Sequence, residues 1–405
     1  MVRFLLNFLS FLLEHILWII PRKKSKWLFG CMGSFMDNPK YMFLETIEKH
    51  KEINAIWITH KKEDLIHLRR IGLKSYYWLS FKGIYHTLTA KVFICDHHVG
   101  NVNQFLSGGA FFLNLWHGAS VKRVRWQAPD YVVKKYHLKD ESEMRTSFRF
   151  KIKMWPILFR KPDLLLTPST IQKREYFAPM MDVTEDKCIV GVYPRSKLLI
   201  EGKDSAISFI KKYEPLETLQ FVESLGKYEK TYVYMPTWRN DRRDFIMQAG
   251  IDWQYLNDIM SESNSLFVMK LHPSTKINID NLKCYSNICI YPSVSDIYTV
   301  LPFIDCLITD YSSIYTDFLI MNKEIILYVF DYDEYVKTSY NLSEYDKYFV
   351  GKRAYNFDQL LQIMKSGEDC HVPKEQYELL MNFFWDNNRY NIDIAEEIKK
   401  RIALC

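Results

Sequence analysis

Four stretches of this chain place side chains suited to phosphate chemistry directly after an apolar run. In the first, Trp116-His117-Gly118-Ala119-Ser120-Val121-Lys122, an imidazole is followed by a glycine that permits close backbone approach and, a turn later, by a lysine. A histidine so placed can take a proton from a hydroxyl beside a phosphate, because its ordinary pKa lies near neutrality. The second, Pro236-Thr237-Trp238-Arg239-Asn240-Asp241, offers a planar guanidinium that can hold a phosphate through two parallel hydrogen bonds. The third, Lys270-Leu271-His272-Pro273-Ser274, carries a histidine that can be cationic against a phosphate. The fourth, Asp310-Tyr311-Ser312-Ser313, sets two hydroxyls before a segment with helical character that carries Asp317, and helix N-termini receive anions on their unbonded N–H groups. Each has a plain structural explanation: a capping or core histidine, a surface ion pair, serine helix caps. Their recurrence after successive apolar runs points to one shared property, phosphate binding.

The elements that must position these groups follow from the same runs. Trp27 to Gly30, Ala55 to Thr59, Val92 to Asp96, Phe111 to Trp116, Leu164 to Thr167 and Cys188 to Val192 are short, apolar and separated by amphipathic stretches. Strands alternating with helices predict a mostly parallel α/β sheet. A second series restarts with Thr231 to Met235, Ser265 to Leu271, Ile288 to Tyr291, Cys306 to Thr309 and Ile325 to Phe330, which predicts a second α/β domain. The expected hinge is the charged stretch Glu201 to Lys230, where no strand is evident. In open α/β domains, functional groups gather at the carboxyl ends of strands, where all four stretches fall.

The 405 residues are too many for one ordinary core, and with 48% hydrophobic content and only 14 Gly and 14 Pro they exclude fibrous and mostly disordered readings. A net charge of +6 is too small to name nucleic acid as a partner, and none is expected. The eight cysteines form no CxxC pair and have no histidine at zinc-finger spacing, so they read as reduced, mostly buried thiols. The positive charge is concentrated in two places. One follows the apolar stretch Phe4 to Ile20, whose 17 residues fall short of the ~20 needed to span a bilayer and are interrupted by Asn7, Ser10, Glu14 and His15. Phe4, Phe8, Leu12 and Trp18 belong to its apolar face, and Arg22, Lys23 and Lys24 come directly after it. An in-plane helix on a lipid surface is expected, with the basic residues among anionic headgroups, and no signal-peptide cleavage pattern follows. A buried helix is the alternative. The other concentration, residues 122–161, has twelve Lys/Arg against four acids, beginning with Lys122 and Arg123, and reads either as a solvated face or as a surface for headgroups or a phosphate-bearing acceptor.

Taken together, Trp116-His117-Gly118 with Lys122, Gly191-Val192-Tyr193-Pro194-Arg195, Pro236-Thr237-Trp238-Arg239, Leu271-His272-Pro273 and Thr309-Asp310-Tyr311-Ser312-Ser313 resemble the CDP-glycerol glycerophosphotransferase family of teichoic-acid primases and polymerases. The resemblance runs in order from about residue 90 to 335, with Ser196-Lys197 where the family pattern usually has Asn-Asp. It implies a GT-B architecture, two Rossmann-like domains facing across a cleft. The expected division is residues 1–26 as the membrane-associating helix and basic cluster, 27–225 as the acceptor domain, 226–385 as the CDP-alditol donor domain, and 386–405 as a helix crossing back to the first domain. It also implies a peripheral protein on the cytoplasmic face of a bacterial cell membrane.

The implied reaction transfers glycerol phosphate, or ribitol phosphate next, from CDP-glycerol or CDP-ribitol to a hydroxyl of a lipid-linked saccharide or growing polymer, releasing CMP. His117 is the expected general base, and His272 the second expected catalytic residue, stabilising charge on the departing CMP. Arg195, Thr237, Arg239, His272, Ser312 and Ser313 are expected around the donor, with Asp310 orienting Ser312 or the nucleotide, and Lys122 and Arg123 around the acceptor. No DxD pair stands at a strand end of the second domain, so no metal is demanded, although Mg²⁺ is compatible. Two other readings fit the composition: a GT-B glycosyltransferase using a nucleotide sugar, and a membrane-bound binding protein for anionic polymer.

Overall fold

The computed structural model describes residues 16–31, 33–103, 105–119, 121, 133, 138–154, 160–239, 245–272, 275, 282, 284–338, 344–388 and 392–403. The chain divides into two compact units, one of residues 1–117, 123–195 and 388–405 and one of residues 118–122 and 196–387.

In unit 1, seven parallel strands lie in the order β3-β2-β1-β4-β5-β6-β7. They are β1 (Lys23–Gly30), β2 (Asn54–Thr59), β3 (Ser75–Tyr77), β4 (Ala90–Cys95), β5 (Phe111–Asn114), β6 (Leu164–Thr167) and β7 (Cys188–Val190). Helices cover the sheet, so the central strands are buried on both faces and read as continuous apolar runs. Leu28, Ile56, Ile58, Phe93 and Phe112 form one core cluster. The helix Asp37–Lys49 packs Tyr41, Met42, Phe43 and Leu44 inward. The strand order reverses between β1 and β4, which opens a crevice at their carboxyl ends.

Unit 2 has six parallel strands in the order β10-β9-β8-β11-β12-β13. They are β8 (Lys230–Met235), β9 (Ser265–Met269), β10 (Ile288–Ile290), β11 (Cys306–Thr309), β12 (Glu324–Tyr328) and β13 (Lys352–Ala354). The order reverses between β8 and β11, and Thr309 stands opposite Met235, so the loops carrying Pro236-Thr237 and Asp310 leave the sheet side by side.

One expectation about the domain division, the position of the hinge, differs from the structure. The stretch Glu201 to Lys230 is no hinge: helices Lys203–Tyr213 and Leu216–Leu225 occupy it within unit 2. Their charged residues are outward faces, while Ala206, Ile210 and Tyr213, then Thr218, Val222 and Leu225, recur every three or four residues and are buried. The division falls instead between Arg195 and Ser196. At the other boundary the helix Lys374–Trp385 belongs to unit 2, where the Trp385 indole donates to the Thr316 carbonyl at 2.8 Å. Asp386 and Asn387 then turn through left-handed φ values of 46° and 55°. The helix Ile394–Ala403 belongs to unit 1, where Lys399 bonds Glu52 and Arg401 donates to the Asp186 carbonyl.

The amino-terminal basic cluster is also used differently from expectation. Phe4, Phe8 and Leu12 lie outside the described residues. Trp18 is 68% exposed in a short 3₁₀ turn, and Lys23 and Lys24 begin β1 with exposed side chains. Arg22, however, is not directed at headgroups. Its guanidinium donates to the carbonyls of Thr87 (2.8 Å), Ala90 (2.7 Å), Leu106 (2.9 Å) and Gly108 (2.8 Å), tying the start of β1 to the carboxyl end of helix Phe81–Thr89. The planar fork meets the Thr87 and Ala90 carbonyls at the helix end, a favourable place for a cation, and the Leu106 and Gly108 carbonyls of the loop before β5. Among the described residues no helix is long and apolar enough to cross a membrane.

Candidate active site

In unit 1, β5 ends at Asn114 and the chain turns sharply. Trp116 has φ +54°, a left-handed value uncommon for a bulky residue and costing on the order of 1–3 kcal/mol. The Asn114 side chain closes the turn by accepting from the Trp116 N–H at 2.8 Å and donating to the His97 carbonyl at 3.0 Å. His117 follows, half-buried, its ring stacked on Trp116 with centroids 4.4 Å apart. Its Nδ1 lies 3.3 Å from the Asp96 carbonyl oxygen. With Nδ1–H directed at that carbonyl, the lone pair is on Nε2, the tautomer a general base needs. Asp96 is itself fixed, accepting from the Asn101 amide (2.9 Å) and from the buried Cys31 thiol (3.2 Å), whose pKa is pushed up by burial and by the Asp96 charge.

Arg195 stands in the 3₁₀ turn Pro194–Ser196 after β7 and is 3% exposed. Its Nη1 donates to Asp37 Oδ1 at 2.6 Å and its Nη2 to the His117 carbonyl at 2.9 Å. Asn38, fully buried, accepts from the Arg195 N–H at 3.2 Å and donates to the Trp116 carbonyl at 2.9 Å. Arg195 is thus engaged by Asp37 and the His117 carbonyl within unit 1, where the sequence reading expected it around the donor. Lys122 and Arg123 lie outside the described residues. Of the described cations in the basic stretch, Arg145 pairs with Glu141, Lys161 with Asp182, and Arg160 with Asp163 and the carbonyls of Ser107 and Ala110. Arg160 is held internally, whereas the Arg145 and Lys161 pairs lie at the surface, with side chains 51% and 39% exposed.

In unit 2, Arg239 is likewise 3% exposed, and it too is not a free phosphate donor. Its Nε and Nη2 donate to the two oxygens of Asp331 at 2.7 and 2.9 Å, Nη2 also reaches Asp310 at 3.0 Å, and Nη1 bonds the Thr237 carbonyl. Phe245, Tyr311, Phe330 and Tyr335 place their rings 4.8 to 5.9 Å from the guanidinium carbon. Asp310, fully buried, accepts from the Thr237 N–H (2.8 Å) and hydroxyl (2.6 Å), so its charge is directed at the β8 loop rather than at Ser312. Tyr311 donates to Asp331 at 3.1 Å; burial and the charges of Asp331 and Asp310 push its pKa up, so it stays a donor. The cluster locks the β8, β11 and β12 loops together beneath Ser312, which is half-buried, and Ser313, which is exposed.

His272 sits just past β9, exposed, with its ring near that of Trp238. Desolvation and then the Lys270 ammonium hold its pKa below the ordinary histidine value, so these surroundings work against the cationic form the sequence reading expected there. Asp310 and Asp331 are both engaged by Arg239, so they form no free carboxylate pair for a divalent cation. Two other clusters of metal-ligand type occur among the described residues, His50 with Asp393 and Glu396, and Glu324 with Asp369 and His371. Lys399 already bridges Glu52 and Glu396 in the first, and Lys230 pairs with Glu324 in the second.

Sequence reasoning missed Asp37, Asn38, Asp96 and Asp331. A signal existed for the last, since Asp331 follows the apolar run of β12 as Asp310 follows that of β11.

Among curated proteins, the chain is similar to a teichoic acid ribitol-phosphate polymerase, TarK, of Staphylococcus aureus, with 24% identity over 232 residues, 56% of this chain and 43% of the relative. It is similar also to a teichoic acid glycerol-phosphate transferase of Staphylococcus aureus, with 21% identity over 342 residues, 81% of this chain and 82% of the relative. The chain thus spans under half the length of the polymerase and about four-fifths of the transferase. Among solved structures, that of the wall teichoic acid polymerase TagF matches with a TM-score of 0.69 at 18% identity over 99% of this chain and 96% of that chain. This likeness establishes a GT-B-like fold of two parallel α/β units. A family model matches residues 12–390, and on that match the chain belongs to the CDP-Glycerol:Poly(glycerophosphate) glycerophosphotransferase family.

Proposed function

We propose that this chain is a membrane-associated transferase that moves an alditol phosphate, glycerol phosphate first and ribitol phosphate next, from its CDP ester to a hydroxyl on a lipid-linked or growing teichoic-acid-like or capsular polymer. The observation that carries the reading is His117, fixed at a strained strand end with its basic nitrogen opposite the one directed at the Asp96 carbonyl. In the reaction, the acceptor oxygen attacks the phosphorus that bears the alditol. A new P–O ester bond forms, the anhydride P–O bond to CMP breaks, and CMP leaves with the electron pair. His117 Nε2 takes the acceptor proton. Unit 2 binds the donor through the Ser312 and Ser313 hydroxyls and the His272 ring N–H, and these donors stabilise charge on the departing CMP. Arg239 and Asp310 act by holding those loops. No metal is required in this scheme.

The protein is proposed to sit peripherally on the inner membrane face. Ile19 and Phe81 are 81% and 95% exposed, and Lys23, Lys24 and Lys82 are exposed basic neighbours of theirs in the chain, a composition suited to an anionic lipid surface.

The test is CMP release by the purified chain on anionic vesicles with a lipid-linked acceptor, supplied with CDP-glycerol or CDP-ribitol, with and without EDTA. Release from one donor, retained in EDTA and lowered about 10²-fold in His117→Ala, is the expected result. Sugar transfer with release of a nucleoside diphosphate would replace this reading with the glycosyltransferase one.

A further inference from the structure

We propose that Arg195, with Asp37 and Asn38, is the positioning unit that sets His117 for proton transfer; the proposal rests on His117 being the base. Two consecutive carbonyls, those of Trp116 and His117, are each held by a buried side chain, from Asn38 and Arg195 respectively. Asn38 and Arg195 are also bonded to each other, and Asp37 fixes the guanidinium. The contacts join residues 78 and 158 positions apart in sequence, so two separate segments, the start of helix Asp37–Lys49 and the turn at Arg195, converge on one dipeptide.

The backbone at both ends of this unit is strained. Trp116 and Asp37 have φ values of +54° and +61°, and neither is glycine. Such conformations persist only where surrounding contacts over-determine them, and they gather at functional sites. Asp37 is held in its turn by accepting from the Asn38 N–H at 2.6 Å. Stability alone does not account for the arrangement, because well-packed apolar residues often replace a buried ion pair at no loss. What an apolar cluster cannot do is fix carbonyl directions, and hence the ring that follows them. The stacking of His117 on Trp116 means that a rotation of the Trp116 peptide carries the imidazole with it.

A direct role for Arg195 on a donor phosphate predicts different behaviour. Both roles lower activity, but only a donor ligand weakens nucleotide binding. The experiment uses the full chain with Arg195→Met, Arg195→Lys and Asn38→Ala, each alone and combined with His117→Ala, reading CMP release and CMP affinity. Arg195→Met should lower kcat about 10²-fold, the scale of a misplacement of about 1 Å, with CMP affinity and the KM for CDP-glycerol within about twofold. Arg195→Lys keeps the charge and should recover part of that loss. On His117→Ala, Arg195→Met should add little further loss, because a positioning residue has nothing left to position. Retained CMP affinity shows that unit 2 has folded, and a circular dichroism spectrum matching that of the unsubstituted chain shows the same for unit 1. Loss of CMP affinity in Arg195→Met, or a full multiplicative loss in the double variant, would overturn the proposal. Unimpaired His117→Ala would instead remove the base assignment, an outcome visible without any Arg195 variant.

Discussion

Each unit buries an arginine beneath the loops at the carboxyl ends of its strands, and the two are built unequally. Among the described residues, Arg195 meets the carboxylate of Asp37, whose side chain is 19% exposed, and the His117 carbonyl. Arg239 has two carboxylates, Asp310 and Asp331, 0% and 5% exposed, and an aromatic surround. Unit 1 thus orients one ring through its main chain, whereas unit 2 fixes three loops around a charge pair sealed from water. An arginine after a strand reads as a phosphate ligand in sequence; in both units the guanidinium is hydrogen-bonded to carboxylates of its own unit.

The largest expected effect follows from that inequality. Arg239→Met leaves two carboxylates buried without a cation and should destabilise the chain by about 3–5 kcal/mol. Arg195→Met leaves one partly hydrated carboxylate and an unbonded carbonyl, for which about 1–3 kcal/mol is expected. Urea unfolding of both variants beside the unsubstituted chain measures the difference. Equal losses would mean that burial of the carboxylates does not set the cost and would dissolve the contrast.

Much of the fold is legible because parallel strands buried on both faces read as unbroken apolar runs, as in Leu164 to Thr167 and Cys306 to Thr309. The two strands missed, Ser75–Tyr77 and Lys352–Ala354, are three-residue edge strands that pair on one side only and carry no such run. The hinge was misplaced because helices with few inward residues resemble a charged linker. At the site, residue type was legible and partnership was not. Arg239 is visible after β8, but Asp331 comes 92 positions later, and Asp37 precedes Arg195 by 158. Only the sheet topology brings such pairs together, so sequence reasoning assigned both guanidinium groups to a ligand.

A middle-sized effect sharpens the comparison by function. If unit 2 holds the donor, Ser312→Ala should weaken CMP binding about tenfold, close to the net worth of one hydrogen bond to a charged group, and Ser313→Ala should act in the same direction. His117→Ala in unit 1 should leave CMP affinity unchanged. Calorimetric titration of CMP into the three variants checks this, and a shared loss would show that nucleotide binding is not the property of one unit.

The smallest expected effect concerns charge within unit 2. Lys270 is 7% exposed, with its ammonium donating to the carbonyls of Pro292 (2.9 Å) and Ser293 (2.6 Å). Burial lowers its pKa to about 8, with Asp296 opposing. Because the folded value lies below the unfolded one, the unfolded chain binds more protons between about pH 8 and 10.4, and this group makes stability rise with pH across that window. The same ammonium helps hold His272 below its ordinary pKa, after desolvation. Lys270→Met removes the charge and keeps the desolvation, so the His272 titration followed by NMR should move upward while remaining below the ordinary value. The stability rise above pH 8 should flatten in the same variant. A His272 titration that stays in place would mean that desolvation alone sets it, and that the lowered pKa of this imidazole, unlike the orientation of His117, needs no second residue.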